Sequence, residues 1–267
     1  MPASSPSSFP EGTLHVIPID GIPEIRPGDD LGALIGNAIT GAIGSLQDGD
    51  IVAVTQKVVS KAEGKLIDLR DVAPSTLAQR IATDWDKDAR QVEVVLRESV
   101  RIVRMVRGLI IAQTKHGFIC ANAGVDASNV ASDTVCLLPD DADASAEAIR
   151  QGLVSRFFGK SAGSSPLGVI VTDSFGRPWR SGIVNVAIGV AGMAPLADYR
   201  GQYDAAGYEL RATVLAVADE LASAAELVMH KLAARPVAVI RGFDAQTLGE
   251  PGTSRDLVMA EERNLFV

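Results

Sequence analysis

Three polar segments carry the residue types that handle phosphate and hard cations. In Val171-Thr-Asp-Ser-Phe-Gly-Arg-Pro-Trp-Arg180, a carboxylate and a hydroxyl, Asp173 and Ser174, close an apolar run and two arginines follow. A carboxylate beside a hydroxyl holds Mg2+ in many nucleotide enzymes, and Arg177 and Arg180 can neutralise phosphate oxygens. The ordinary alternative is Asp173 as a helix cap with a solvated arginine pair. In Asn122-Ala-Gly-Val-Asp-Ala-Ser-Asn129, Asp126 and Asn129 offer oxygen donors on a glycine-bearing loop, which suits Mg2+ or Mn2+. An Asx-rich turn serving only its own backbone has the same composition. In Thr55-Gln-Lys-Val-Val-Ser-Lys-Ala-Glu-Gly64, Lys57 and Lys61 follow an apolar run. Either lysine can meet a phosphate as a point charge, although by pattern alone a helix start with solvated lysines is the simpler account.

Other reactive residues stand in plainer settings. His116 falls in an expected turn, His15 in a strand and His230 near a helix end. No Ser, His and Asp occur in a triad context, and Cys120 has no evident activating partner. Asp219-Glu220 read as the polar face of a helix, with inward acids near a metal as the alternative. The chemistry therefore points away from hydrolytic triads and toward metal-assisted handling of phosphate.

Composition narrows the classes further. The chain has 267 residues, of which 47% are hydrophobic and 22% charged, so it can bury a sizeable core and is not mainly disordered. Its net charge of -8 and 4% aromatic content argue against a nucleic-acid surface, though not against an anionic small ligand. Two cysteines, Cys120 and Cys136, make neither a disulfide framework nor a zinc quartet, and a reducing cytoplasm fits best. The opening residues lack the basic and apolar regions of a secretory signal, and Asp219, Glu220 and Glu226 interrupt the longest apolar stretch, so no membrane span is expected.

The elements that must position these groups follow from periodicity. Strands are expected at 14–19, 51–55, 101–106, 109–114, 118–121, 134–138, 167–172, 183–193 and 236–241. Helices are expected after Asp29 or Asp30 to about 46, then at 75–85, 88–100, 145–158 and 210–234, with 173–182 a polar loop. Strand runs and helices are mixed without regular alternation, which predicts the α+β class. A Pro/Ser tail is expected over 1–12 and one domain over 13–267, with a lobe boundary within the 159–166 connector. No GxxxxGK[ST] or GxGxxG motif is present, so neither common phosphate-loop fold is supported.

Five segments occur together in order: Pro18-Ile-Asp-Gly-Ile-Pro-Glu-Ile25, Val59-Ser-Lys-Ala-Glu-Gly64, the 122–129 loop, Thr172-Asp-Ser-Phe-Gly-Arg-Pro-Trp-Arg180 and Val217-Ala-Asp-Glu-Leu-Ala222. In combination they resemble the coenzyme F-420 (deazaflavin) gamma-glutamyl ligase family, from about His15 to Gly242. The resemblance implies a family-specific α+β architecture, an intertwined homodimer, and GTP-dependent addition of L-glutamate to a deazaflavin precursor through an acyl phosphate. It implies divalent metal, Mg2+ or Mn2+ at two sites, with K+ as a helper. Matching positions assign Asp126 and Asp173 to one metal and Ser174, in place of the commoner Thr, to the second. They assign Ile22, Pro23, Glu24 and Ile25 with Gln56, Lys61 and Asn129 to GTP. Asp173, Lys61 and Arg177 are the residues expected to carry the chemistry, Arg177 on the strength of its charge alone.

The chain departs from the family pattern at Tyr208, where Arg is common, and at His230, where Gly is usual. It also resembles the stand-alone form, without a nitroreductase-like domain. Two alternatives stand beside the leading one: a ligase of the same fold acting on another acid or amino acid, and a GTP-binding homologue without catalysis.

Overall fold

Three of the expected strands are short apolar runs that bury both faces, and they form the middle of one sheet. The computed structural model describes residues 12–159, 167–245 and 249–264. The tail and the connector expected at 1–12 and 159–166 fall almost wholly outside these residues. In chain order the elements are β1 (His15–Ile19), α1 (Leu31–Ile43), β2 (Ile51–Thr55), α2 (Gln56–Ala62), β3 (Leu66–Asp68), α3 (Thr76–Trp85), α4 (Ala89–Glu98), β4 (Ser99–Val106) and β5 (Leu109–Thr114). There follow β6 (Ile119–Ala121), β7 (Thr134–Cys136), α5 (Ala142–Phe157), β8 (Gly168–Arg177), β9 (Arg180–Ala191), β10 (Ala197–Asp198), β11 (Val214–Leu215), α6 (Val217–Met229) and β12 (Val237–Arg241).

The main sheet runs β1-β12-β2-β8-β9, with only β2 and β8 parallel. Alternation along the inner strands sends Val52, Val54, Val169, Val171, Val237 and Val239 into a core shared with α1 and α5. It sends Ile51, Ala53, Ile170, Ala238 and Ile240 into a second core beneath α6. The sheet is thus covered on both faces, which is why these strands read as continuous apolar runs. Between α2 and α5 lies a further unit, in which α3, α4 and the β4-β5-β6 sheet enclose a core that includes Ile81, Val95 and Ile110. The mixed architecture agrees with the α+β expectation.

Helix starts follow their caps. The Asp30 carboxylate accepts from Ala33 N at 3.0 Å, Ser75 Oγ from Ala78 N and Asp141 from Ala144 N. Two expectations change. The helix expected at 210–234 is only α6, because Val214 and Leu215 pair with Asp198 and Ala197, and the chain leaves the helix at His230 with φ +53°. The polar loop expected at 173–182 is instead the outer half of the β8–β9 hairpin, in which Asp173 pairs with Val186 and Ser174 with Asn185. Asp173 therefore caps no helix. Among the described residues, no helix is long and apolar enough to cross a membrane.

Candidate active site

The sheet makes the site by letting one parallel strand outrun the other. The pairing of β2 with β8 ends at Thr55–Thr172, where the chain leaves β2 directly into α2. Asp173 and Ser174 stand just beyond, still held by β9, at the carboxyl ends of the two parallel strands where ligand crevices form. A bulge in β9 between the Val171–Gly189 and Thr172–Ala187 pairs lies beside them. Successive strand residues leave opposite faces, so Asp173 and Ser174 address two sides of the same strand.

A cavity of about 630 Å3 opens here. Ile22, Pro23, Glu24 and Ile25 line one wall, and Gln56, Lys57 and Lys61 of α2 line the next. Asp126 and Asn129 come from the inserted unit, while Thr172, Asp173, Ser174, Asn185 and Glu226 make the floor. His230, Lys231 and the chain on to Pro236, after α6, line the remaining side.

The 122–129 loop reaches the cavity through an unusual turn. Asn122, Ala123 and Gly124 all adopt positive φ, at +52°, +51° and +74°. Such a run is strained for Asn and Ala, and glycine carries it without penalty. Cys136 N and O then both bond the Asp126 backbone, which aims the carboxylate at α2. Lys57 Nζ meets Asp126 Oδ2 at 2.7 Å and also donates to Ser128 O and Oγ. Burial works against the ionised Asp126, but the Lys57 ammonium and the Ser128 N–H outweigh it and hold the carboxyl below its usual range.

Asp173 is perturbed the other way. Burial pushes its carboxyl up to about 6; the Ser174 N–H opposes the shift and the nearby Asp126 charge adds to it. Asp126 and Asp173 line the same cavity, and a hard cation is the kind of group that two such carboxylates could hold. Among the described residues, no three His, Cys, Asp or Glu side chains group tightly enough to hold an ion unaided. Such a cation would draw further oxygens from Asn129, water or a bound phosphate, the arrangement Mg2+ commonly adopts.

On the other side of β8, Ser174 Oγ donates to Asn185 Oδ1 at 2.7 Å. Asn185 is 3% exposed, and its Nδ2 donates to Glu226 Oε2 at 3.0 Å and reaches Thr172 Oγ1 at 3.4 Å. Sequence reading did not single out Asn185, Thr172 or Glu226 as site residues. The signal for Asn185 was a polar residue in an otherwise apolar strand.

The structure gathers most of the expected site residues. Asp126, Asp173, Ser174, Gln56, Lys61, Asn129 and the 22–25 segment all face one cavity. Lys61 pairs with Glu24, which draws that segment onto α2. Gln56 Nε2 is occupied by Leu137 O and Ser60 Oγ. Arg177 and Arg180 are not brought in: they lie at the hairpin end, where Arg177 Nη2 donates to Ser181 O. Tyr208 lies outside the cavity and is 67% exposed, whereas His230 lines it. Asp219 turns inward, as one alternative allowed, but it serves the fold by accepting from Ala187 N. The Cys120 thiol is buried and pushed up to about 12, so it is not a nucleophile at neutral pH.

Residues 21–242 match the family described as F420-0:Gamma-glutamyl ligase. The chain is 41% identical to the coenzyme F420:L-glutamate ligase of Methanothermobacter thermautotrophicus over 95% of its own length and 98% of that protein's. It is equally 41% identical to the enzyme of that name from Methanopyrus kandleri, with the same coverage. The corresponding Methanocaldococcus jannaschii protein is 42% identical over 83% of this chain and 86% of its own. The chain belongs to the F420-0:gamma-glutamyl ligase family.

Proposed function

We propose that this protein is a GTP-dependent ligase that joins L-glutamate to the carboxylate of a deazaflavin precursor and builds a gamma-linked tail. The reading is supported by family membership, by the activity that its relatives' names carry, and by the cavity. The observation that carries it is the meeting of Asp126 and Asp173 with Lys57, Lys61 and Lys231 at the ends of β2 and β8. Phosphoryl transfer needs charge neutralisation and positioning at one place, which this set can supply.

In this reading the 22–25 segment, Gln56, Lys61 and Asn129 seat GTP. The terminal phosphoryl group passes to an acceptor carboxylate oxygen, giving an acyl phosphate and GDP. The glutamate amine then attacks the acyl carbon, phosphate leaves with the C–O bond electrons, and the nitrogen loses a proton as the amide forms. Asp126 and Asp173 would hold one divalent cation, Mg2+ or Mn2+, and Ser174 a second. When bound, they supply Lewis-acid neutralisation of phosphate charge. Arg177, bonded to its own hairpin, has no role in this scheme. A K+ requirement and a homodimer belong to the same reading.

Mass spectrometry of the purified protein with precursor, L-glutamate, GTP and Mn2+ tests it. The expected product is heavier by one or more glutamyl units, with GDP formed only when all substrates are present. Asp173→Ala should abolish turnover while leaving the protein folded; near-normal activity in that variant removes the cation assignment.

A further inference from the structure

The chain Glu226–Asn185–Ser174 fixes the direction of every hydrogen in it. An ionised carboxylate has only lone pairs, so the Asn185 group facing Glu226 must be the NH2 end. That places Asn185 Oδ1 against Ser174, and an amide oxygen only accepts. Ser174 must therefore spend its single hydroxyl hydrogen on Asn185, at 2.7 Å. Its lone pairs are left for the cavity that it lines.

The fold holds this orientation from several directions. Asn185 is the cross-strand partner of Ser174 in the β8–β9 register. Ser223 Oγ donates to Asn185 O at 2.7 Å, and Glu226, one turn further along α6, takes the side-chain NH2. Thr172 Oγ1 lies within reach of the same nitrogen. Asn185 is buried, so an amide rotated the other way would set its oxygen against the Glu226 carboxylate, a repulsion in place of a hydrogen bond.

We propose that Asn185, oriented by Glu226, is a positioning residue that makes the Ser174 oxygen an acceptor only, a ligand for a cation and not a hydrogen-bond donor to phosphate. The inference rests on the reading of Ser174 as a cation ligand. Outer hydrogen-bond partners that orient a ligand commonly govern metal affinity. Here they also govern which end of the hydroxyl faces the cavity.

The test is Mn2+ binding followed by electron paramagnetic resonance and calorimetry, with GDP present, on folded variants checked by thermal unfolding. Wild type is expected to bind two ions. Glu226→Leu removes the carboxylate that accepts from the Asn185 NH2, so the amide is no longer held with Oδ1 against Ser174. It should weaken one ion about tenfold or more and spare the other. Asn185→Leu should weaken the same ion, and the double variant, Asn185→Leu with Glu226→Leu, should be no worse than Asn185→Leu alone. Exchanging the two groups, Asn185→Asp with Glu226→Gln, restores an acceptor beside Ser174 and should recover affinity.

Two full ions in Glu226→Leu and Asn185→Leu would overturn the inference alone. Additive losses in the double variant would overturn it too, because they mean that Glu226 acts through its charge and not through Asn185. Wild type that binds no ion lost on Ser174→Ala would overturn the cation reading of Ser174, and the inference with it.

Discussion

Lys57 Nζ and Asp126 Oδ2, 69 residues apart in the chain, meet at 2.7 Å and tie the inserted unit to the end of β2. The same ammonium holds Ser128 through its carbonyl and hydroxyl oxygens. One lysine thus sets both the charge of Asp126 and the shape of the loop that presents it. Lys57→Met removes three charge-assisted hydrogen bonds at a partly buried position. It should cost about 2 kcal/mol in urea unfolding and expose the 122–129 loop to proteolysis.

Asp173 should weigh on stability when no cation is bound. Its folded carboxyl titrates near 6, above the ordinary 3.8, so the native state binds the proton more tightly than the unfolded chain does. Stability therefore falls as pH rises from about 4 through about 6. Asp173→Asn removes that loss. In chelator at pH 7.5 the variant should be more stable than wild type, by up to about 3 kcal/mol, and at pH 4 the two should converge. Equal unfolding midpoints at pH 7.5 would contradict the burial of this charge.

Arg241 closes the other end of the same sheet. Asp50, 0% exposed at the start of β2, accepts from Arg241 Nε at 2.8 Å and Nη2 at 2.7 Å, and from Gln47 N. Arg241→Leu leaves a buried carboxylate without its partner and should cost about 3–5 kcal/mol. Adding Asp50→Asn should return a large part of that loss, measured as a rise in the urea midpoint over the single variant.

Two glycines on α5 contacts should differ sharply. A Cβ on Gly189 would lie 2.2 Å from Ala142 O, a backbone atom that cannot turn aside. On Gly152 it would lie 3.0 Å from Gly32 Cα across the α1–α5 contact. Gly152→Ala should cost about 1–3 kcal/mol as the helices part slightly, while Gly189→Ala should be much worse, read as loss of soluble protein or a far lower Tm.

Local chemistry in the sequence was enough for much of this protein. Val, Ile and Ala runs at 51–54, 169–171 and 237–240 read as buried strands because both their faces are apolar, and the structure keeps them so. Asp30 and Ser75 stand where helices were expected to begin, and both serve as N-caps; Asp141 caps a helix that starts three residues before the expected 145. Asp173 and Ser174 stood out because acid, hydroxyl and arginines crowd beyond an apolar run, Asp126 as an oxygen donor on a glycine-bearing loop and Lys61 through the family resemblance, and one cavity receives all four.

Tertiary structure decided what no local pattern encodes. Asp173, Ser174 and Gly176 have weak strand preference, and only pairing with β9 keeps them extended. Leu210 to Leu215 carry helix-like apolar spacing, but Val214 and Leu215 take their hydrogen bonds from β10 and leave α6 shorter. Charge alone brought Arg177 into consideration, and a hairpin carbonyl claims it. Lys57 with Asp126, and Asn185 with Glu226, lie far apart in the chain. Their meeting depends on how the inserted unit and α6 dock on the sheet, because hydrogen-bond direction and burial are properties of assembled neighbours.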